Sequence, residues 1–363
     1  MAKFGRSLTD LAVEIERRAE VKKDIIAPTP KLAVEVVDDK PMIAVANGKI
    51  HTYEPLDIAH GQLAEYVGVP MPYYRRMLAD DPSLLATNVN RWLRDKRDDK
   101  RLVRTLDGRA RAFLSNGYRT LENEDLAEAV LPVLLEQDLL ILSCEITDRR
   151  LYIKAVDRKI ERDVPTGRRM GDGTHTFFDT VSPAITISNS EVGLGSLSIE
   201  TGVYTRACTN LAMIGTNFRK FHVGKRADLG SEVFELLTDD TKRATDRAVW
   251  MQTRDVVKAA FDEVKFASVT KKLANAAQDV VPAEDTVEVI ERVGRRFSLT
   301  EGERKGVLTK LIEGADLTRY GVHAAITRYS QEDAVNYDRA TELEKIGGEV
   351  IDIDPADWRR VVD

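Results

Sequence analysis

The chain is 363 residues long with a mass of 40.7 kDa, 43% hydrophobic and 31% charged residues, enough to bury a sizeable core and, by length, to form about two domains. No apolar run approaches the roughly 18 residues that a membrane helix needs, and two cysteines cannot build a disulfide framework. With a start that lacks a signal-peptide apolar segment, this predicts a protein of a reducing compartment, the cytoplasm. The net charge of −6 argues against a general nucleic-acid glue. Residues 91–226, however, carry a net +4 against −8 for the remainder of the chain after them, which leaves a local polyanion site open.

In chain order, residues 7–24 place Leu8, Leu11, Ile15 and Ala19 on one helical stripe behind a Ser or Thr cap, the pattern of a peripheral amphipathic arm. Residues 25–54 alternate β-branched residues with breakers and predict two or three short strands turned at Asn47-Gly48. Residues 56–96 read as short helices broken around Pro70 and Pro72. A hairpin turned at Asp107-Gly108 comes next, then a helix capped by Asn123 and a second hairpin turning near Asp148. Residues 164–181, with Gly167, Gly171 and Gly173, read as an exposed, mobile loop. Another pair of alternating strands surrounds residues 189–195, and everything after Asp228 carries helical spacing. The expected class is therefore α+β: a central antiparallel sheet with helices, followed by a mainly helical C-terminal region. The expected regions are 1–101, 102–227 and an acidic 228–363.

Several chemistries lack their residues. The segment from Gly215 to Arg226 resembles a phosphate loop in outline, but Arg219 and Arg226 stand where that motif requires glycine and a hydroxyl residue. Cys144, Cys208 and the scattered His51, His60, His175, His222 and His323 offer no paired ligand spacing, so no metal and no cofactor are expected. Cys208 reads as a small core residue rather than a nucleophile. Glu191, in Asn-Ser-Glu-Val-Gly, is the best single catalytic carboxylate candidate, with capping of a turn as its structural alternative.

A binding role finds more residues. Period two puts Arg150, Tyr152 and Lys154 on one strand face, where cations can neutralise phosphates and an aromatic ring can stack on an unpaired base. Tyr118-Arg119 and Arg219-Lys220-Phe221-His222 repeat the pairing, and Arg149, Arg206, Asn210, Lys225 and Arg226 complete the expected nucleic-acid-binding set. Core packing of Tyr152 and Phe221, with the cations merely flanking them, is the alternative.

Three segments, SNGYRTLENEDLAEAVLPVLLE (115–136), ISNSEVGLGSLSIETGVYTRACTNLAMI (187–214) and HAAITRYSQEDAVNYDRATELEKIGGEVI (323–351), resemble a family of phage- and plasmid-encoded proteins known as phage/plasmid-like proteins, a domain-of-unknown-function family. The resemblance covers most of residues 60–350. It departs at the end of the second segment, where Leu-Ala stands in place of a glycine-containing continuation. The resemblance implies a mobile-element product in a bacterial or phage-infected cytoplasm and brings no established activity. Together with the basic middle it leads to the expectation of a single-stranded-DNA-binding protein of DNA metabolism, similar in outline to strand-annealing recombination proteins, with the acidic helices serving self-association or recruitment. The alternatives are an enzyme acting on nucleic acid or nucleotide, with Glu191 and the Arg206–Asn210 segment facing a cleft, or a protein binding a host factor through its acidic helices.

Overall fold

The computed structural model describes residues 5–169, 176–206, 210–215, 217–220 and 239–363. Helix α1 (Leu8–Val21) starts at Ser7, whose hydroxyl oxygen accepts from the Asp10 N–H at 3.0 Å. It is not a peripheral arm. Leu11 and Ile15 are buried in the main core, and Arg18 donates to the carbonyls of Ile146 and Thr147, tying the helix to the central sheet.

Strands β1 (Lys23–Pro28), β2 (Leu32–Val37), β3 (Lys40–Asn47) and β4 (Lys49–Tyr53) come next. The last three form a meander turned at Asp38-Asp39 and at Gly48, all at positive φ. Strand β1 leaves this meander and pairs with β5 (Lys100–Leu106), which turns at Asp107-Gly108 into β6 (Arg109–Ser115). β5 thus straddles the expected boundary at residue 101. Its Val103 and Phe113 of β6 pack with Val34, Ile43, Leu63, Tyr74 and Val89, under helices α2 (Asp57–Val67), α3 (Met71–Asp80) and α4 (Pro82–Asp95).

The central sheet is antiparallel throughout. After α5 (Asn123–Glu136) come β7 (Leu140–Ile146), β8 (Leu151–Val156), β9 (Arg162–Arg169), β10 (Thr176–Asn189), β11 (Leu197–Thr205), β12 (Asn210–Ala212) and β13 (Asn217–Lys220). The order is β12-β11-β10-β8-β7, with β9 beside the leading half of β10 and β13 beside β11. The expected loop over 164–181 is thereby corrected for 164–169 and 176–181, while Gly171 and Gly173 lie outside the described residues. Residues 162–169 and 176–181 are paired strands, with Val164, Thr166 and Asp179 buried. Glycine and arginine obscure the alternation in sequence, but backbone pairing along the hairpin and cover on one side supply the order.

The sheet has two unlike faces, as period two requires. Ile153, Ile185, Ile187, Leu197 and Ile199 form an apolar face under Leu126, Val130 and Leu134 of α5 and Val249 and Val257 of α6 (Asp239–Ala259). Burying such side chains contributes about 1.5–3 kcal/mol each. The opposite face carries Tyr152, Lys154, Thr186, Ser188, Ser198 and Glu200, which stand side by side in register.

The C-terminal region consists of α7 (Glu263–Ala276), whose Phe266, Val269 and Leu273 pack with Val164, Val181 and Val203 of the sheet, and of α8 (Thr286–Arg296), α9 (Glu301–Gly314), α10 (Arg319–Tyr329), α11 (Tyr337–Ile351) and α12 (Pro355–Val362) around their own core of Val293, Leu311, Ile326, Leu343 and Trp358. These helices do not stand apart. α11 lies against the polar face of the sheet, so closely that a Cβ on Gly348 would come within 1.8 Å of the Met213 carbonyl oxygen. The α+β class expected from sequence is the one observed. Among the described residues no helix is long and apolar enough to cross a membrane.

Candidate functional site

Arg150, Tyr152 and Lys154 do share one side of the sheet, but α11 covers it. The Lys154 ammonium lies 2.6 Å from Glu344 Oε2, with both side chains buried, and 4.7 Å from the Tyr337 ring centroid. The Tyr152 hydroxyl donates to Asp338 Oδ1 at 2.8 Å, its ring packs on Tyr337, and burial together with the Asp338 charge pushes its pKa well up. Ser143 and Tyr337 share a hydrogen bond of 2.7 Å. The expectation of Tyr152 and Lys154 as an open strip for bases and phosphates is therefore corrected. The polar face is buried against a helix whose own inward side is polar.

A cavity of about 360 Å³ remains where α11 and the sheet diverge. Arg149 and Arg150 stand on its wall, as do Arg219 and Lys345. Glu200 gathers Lys345 at 3.1 Å, Asn217 at 3.0 Å and Arg219 at 3.5 Å. Arg150 donates to the Leu194 carbonyl at 2.7 Å, whereas the exposed Arg149 forms no ion pair among the described residues. Thr186 also lines the cavity, and its buried hydroxyl has no hydrogen-bond partner among the described residues. Arg149 and Asp338 line a second cavity as well, of about 620 Å³, which reaches Asp57 and His60 at the start of α2.

The other expected residues are dispersed. Tyr118 donates to the Ser190 carbonyl at 2.9 Å, and burial raises its pKa. Arg119 donates to Asp246 of α6 at 2.7 Å. Arg206 is exposed and pairs with Glu161 at 3.3 Å, and Asn210 is buried against Thr327. Lys220 contributes its backbone to β13. Lys225 and Arg226 lie outside the described residues, with Cys208, Phe221 and His222.

Glu191 does not face a cleft. Its Oε2 accepts from Arg111 Nη1 at 2.9 Å and its Oε1 from the Asn123 N–H at 2.8 Å, and the cavity beside it, of about 10 Å³, holds no more than a water. Burial and the neighbouring Glu122 raise its pKa. Against its own burial, Glu122 is held down at about 2 by Arg104 and Lys22. Arg104, fully buried, joins Asp24, Glu122 and the Glu191 carbonyl. Nor does Asn123 cap its helix. Glu122 occupies the cap position, and the Asn123 side-chain oxygen accepts from Asn189 at 2.9 Å. This network joins the first two motif segments, while Asn210–Thr327 and the Met213 N–H donating to the Glu344 carbonyl join the second to the third.

The β9–β10 hairpin was not foreseen as a site. Phe177 and Phe178 are 40% and 60% exposed, and the Arg168 guanidinium lies 5.4 Å from the Phe177 ring centroid. Arg162 and Arg169 are exposed and form no ion pair among the described residues. The hairpin is anchored on its other side, where the Gly167 N–H donates to Asp316 Oδ2 at 2.9 Å and Asp179 accepts from Arg168 at 3.0 Å and Tyr320 at 2.9 Å. The signal available in the sequence is the adjacent Phe177-Phe178 following Arg168-Arg169, which the intervening glycines mask as a loop. No protein-family model, curated protein or solved structure matches the chain.

Proposed function

We propose that the chain is a DNA-metabolism protein of a phage or other mobile element that binds single-stranded DNA in the host cytoplasm. In this proposal it promotes strand annealing as an oligomer, without a nucleotide cofactor. The observation that carries it is the anchored β9–β10 hairpin, which presents Phe177 and Phe178 to solvent with Arg168 near the Phe177 ring and exposed Arg162 and Arg169 at the two ends of β9. The register of β9 and β10 shifts between Thr176 and Phe178, and with the alternation broken there both rings stay exposed as platforms for unpaired bases. Stacking on such a ring contributes about 1–3 kcal/mol per base and tolerates any sequence, while Arg162 and Arg169, unlike Arg168 not engaged by a carboxylate among the described residues, neutralise phosphates. Bases inside a duplex are not free to stack, which favours single strands.

The test is a titration of the protein into labelled single- and double-stranded oligonucleotides across a salt series, with an annealing assay of complementary strands. Single strands should bind more tightly and with strong salt dependence. Phe177→Ala with Phe178→Ala should weaken binding at least about tenfold at every salt concentration. Arg162→Ala with Arg169→Ala should flatten the logarithmic salt slope by about 1.4, two single-strand phosphate contacts. Absence of binding at about 50 mM salt, where such contacts are strongest, or wild-type affinity in both double variants, would remove the proposal.

A further inference from the structure

We propose that the cavity between the β10–β11 face and α11 is a binding site for a phosphate monoester carried on a sugar. The proposal uses none of the hairpin residues. Its volume of about 360 Å³ sits at the lower end of small-ligand pockets, enough for one nucleotide-sized molecule.

The donors on its wall select an anion. Arg149 and Arg150 have no carboxylate partner among the described residues, and a guanidinium offers only donors, in a fork that matches phosphate oxygens. The carboxylates nearby are already engaged: Glu200 by Lys345, Glu342 by Arg339 at 2.8 Å, and Asp338 by the hydroxyls of Tyr152 and Thr147. Thr186 stands on the cavity wall, only 2% exposed, and its hydroxyl has no partner among the described residues, an arrangement that costs free energy unless a ligand oxygen reaches it. Ser188 and Ser196 add hydroxyls to the same wall, suited to the oxygens of a sugar. Gly195 fixes the position of one cation. A Cβ there would lie 1.7 Å from Arg150 Nη2, so the guanidinium lies across the glycine only because no side chain stands in its place.

The ester can come from a free nucleoside monophosphate or from the 5′-phosphorylated end of a strand. In the second case the adjoining cavity, shared through Arg149 and Asp338, offers room for the second nucleotide of that strand.

Calorimetric titration with adenosine and uridine 5′-monophosphates, the parent nucleosides, and oligothymidylates with and without a 5′-phosphate tests this. The monophosphates should bind at least tenfold more tightly than the nucleosides, or the 5′-phosphate should strengthen oligonucleotide binding by a similar factor; the first result names a free nucleotide and the second a strand end. Arg149→Ala, at an exposed position, should remove about ten- to a hundredfold of that affinity. Thr186→Val should weaken binding without lowering the melting temperature, because its hydroxyl has no partner among the described residues to lose. Gly195→Ala should displace Arg150 and weaken phosphate binding in the same way. A phosphate that makes no difference to any ligand, or wild-type phosphate dependence in both Arg149→Ala and Thr186→Val, overturns the proposal. Phe177→Ala with Phe178→Ala should leave monophosphate affinity unchanged, so failure here and failure of single-strand binding at the hairpin are separate results.

Discussion

Lys154 on the central strand β8 and Glu344 on α11, 190 positions later in the chain, form an ion pair of 2.6 Å with 1% and 0% of their side chains exposed. The pair sits where a cation strip would otherwise meet solvent. It joins the C-terminal helices to the sheet and sets the register in which Asp338 meets Tyr152, Lys345 meets Glu200, and the cavity between them keeps its shape.

Breaking that pair from one side should be costly, since the remaining charge stays buried without a counter-ion. Lys154→Met or Glu344→Leu alone should lower stability by about 3–5 kcal/mol. The double variant should recover most of the loss, as two apolar side chains replace two desolvated charges. Thermal and urea unfolding of the three proteins measures this. Singles as stable as the wild type would mean that α11 is not seated on the sheet in solution.

His323 should make stability depend on pH. Its ring is buried between Tyr320 and the Gly347 carbonyl, 2.8 Å from Nδ1, and burial pushes its pKa from 6.5 down to about 4. Between those values the unfolded chain takes up a proton that the folded state refuses. The contribution of neutral His323 is therefore complete above pH 6.5, declines as the pH falls, and is gone near pH 4, a change of about 3 kcal/mol. Melting temperatures recorded from pH 7 to 4 should decline less steeply in His323→Gln than in the wild type. Parallel profiles would assign the acid sensitivity to other groups.

Glu191 should behave as a structural carboxylate. Glu191→Ala leaves the Arg111 guanidinium and the Asn123 N–H buried without their acceptor, and stability should fall by about 3–5 kcal/mol. Oligonucleotide affinity of the folded variant should stay within about twofold of the wild type, because the β9–β10 hairpin lies elsewhere. A variant of wild-type stability that loses a measurable turnover would restore the catalytic alternative.

Much of the fold was legible because its signals are local. Asn47-Gly48 and Asp107-Gly108 mark turns through backbone conformations that favour those residues, and the turns stand where they were expected. The stripe of Leu11 and Ile15 and the helical spacing after residue 239 likewise mark apolar faces that must be covered. Residues 162–169 and 176–181 were not legible as strands, since glycine and arginine break the alternation while pairing across the hairpin and contacts with Asp316 and Tyr320 hold the strands.

By itself the sequence determined which residues share a side: period two aligns Arg150, Tyr152 and Lys154 whatever surrounds them. Only the tertiary structure decided what meets that side. A polar strand face looks the same in sequence whether it meets water, nucleic acid or another polar surface, and here Tyr337, Asp338, Glu344 and Lys345 meet it from a helix nearly two hundred residues away. The pairing of Lys154 with Glu344 satisfies both charges inside the protein and withdraws them from any ligand. Among the described residues Arg149 forms no ion pair, the Thr186 hydroxyl has no hydrogen-bond partner and the ring of Phe178 is 60% exposed, and binding is proposed around these groups.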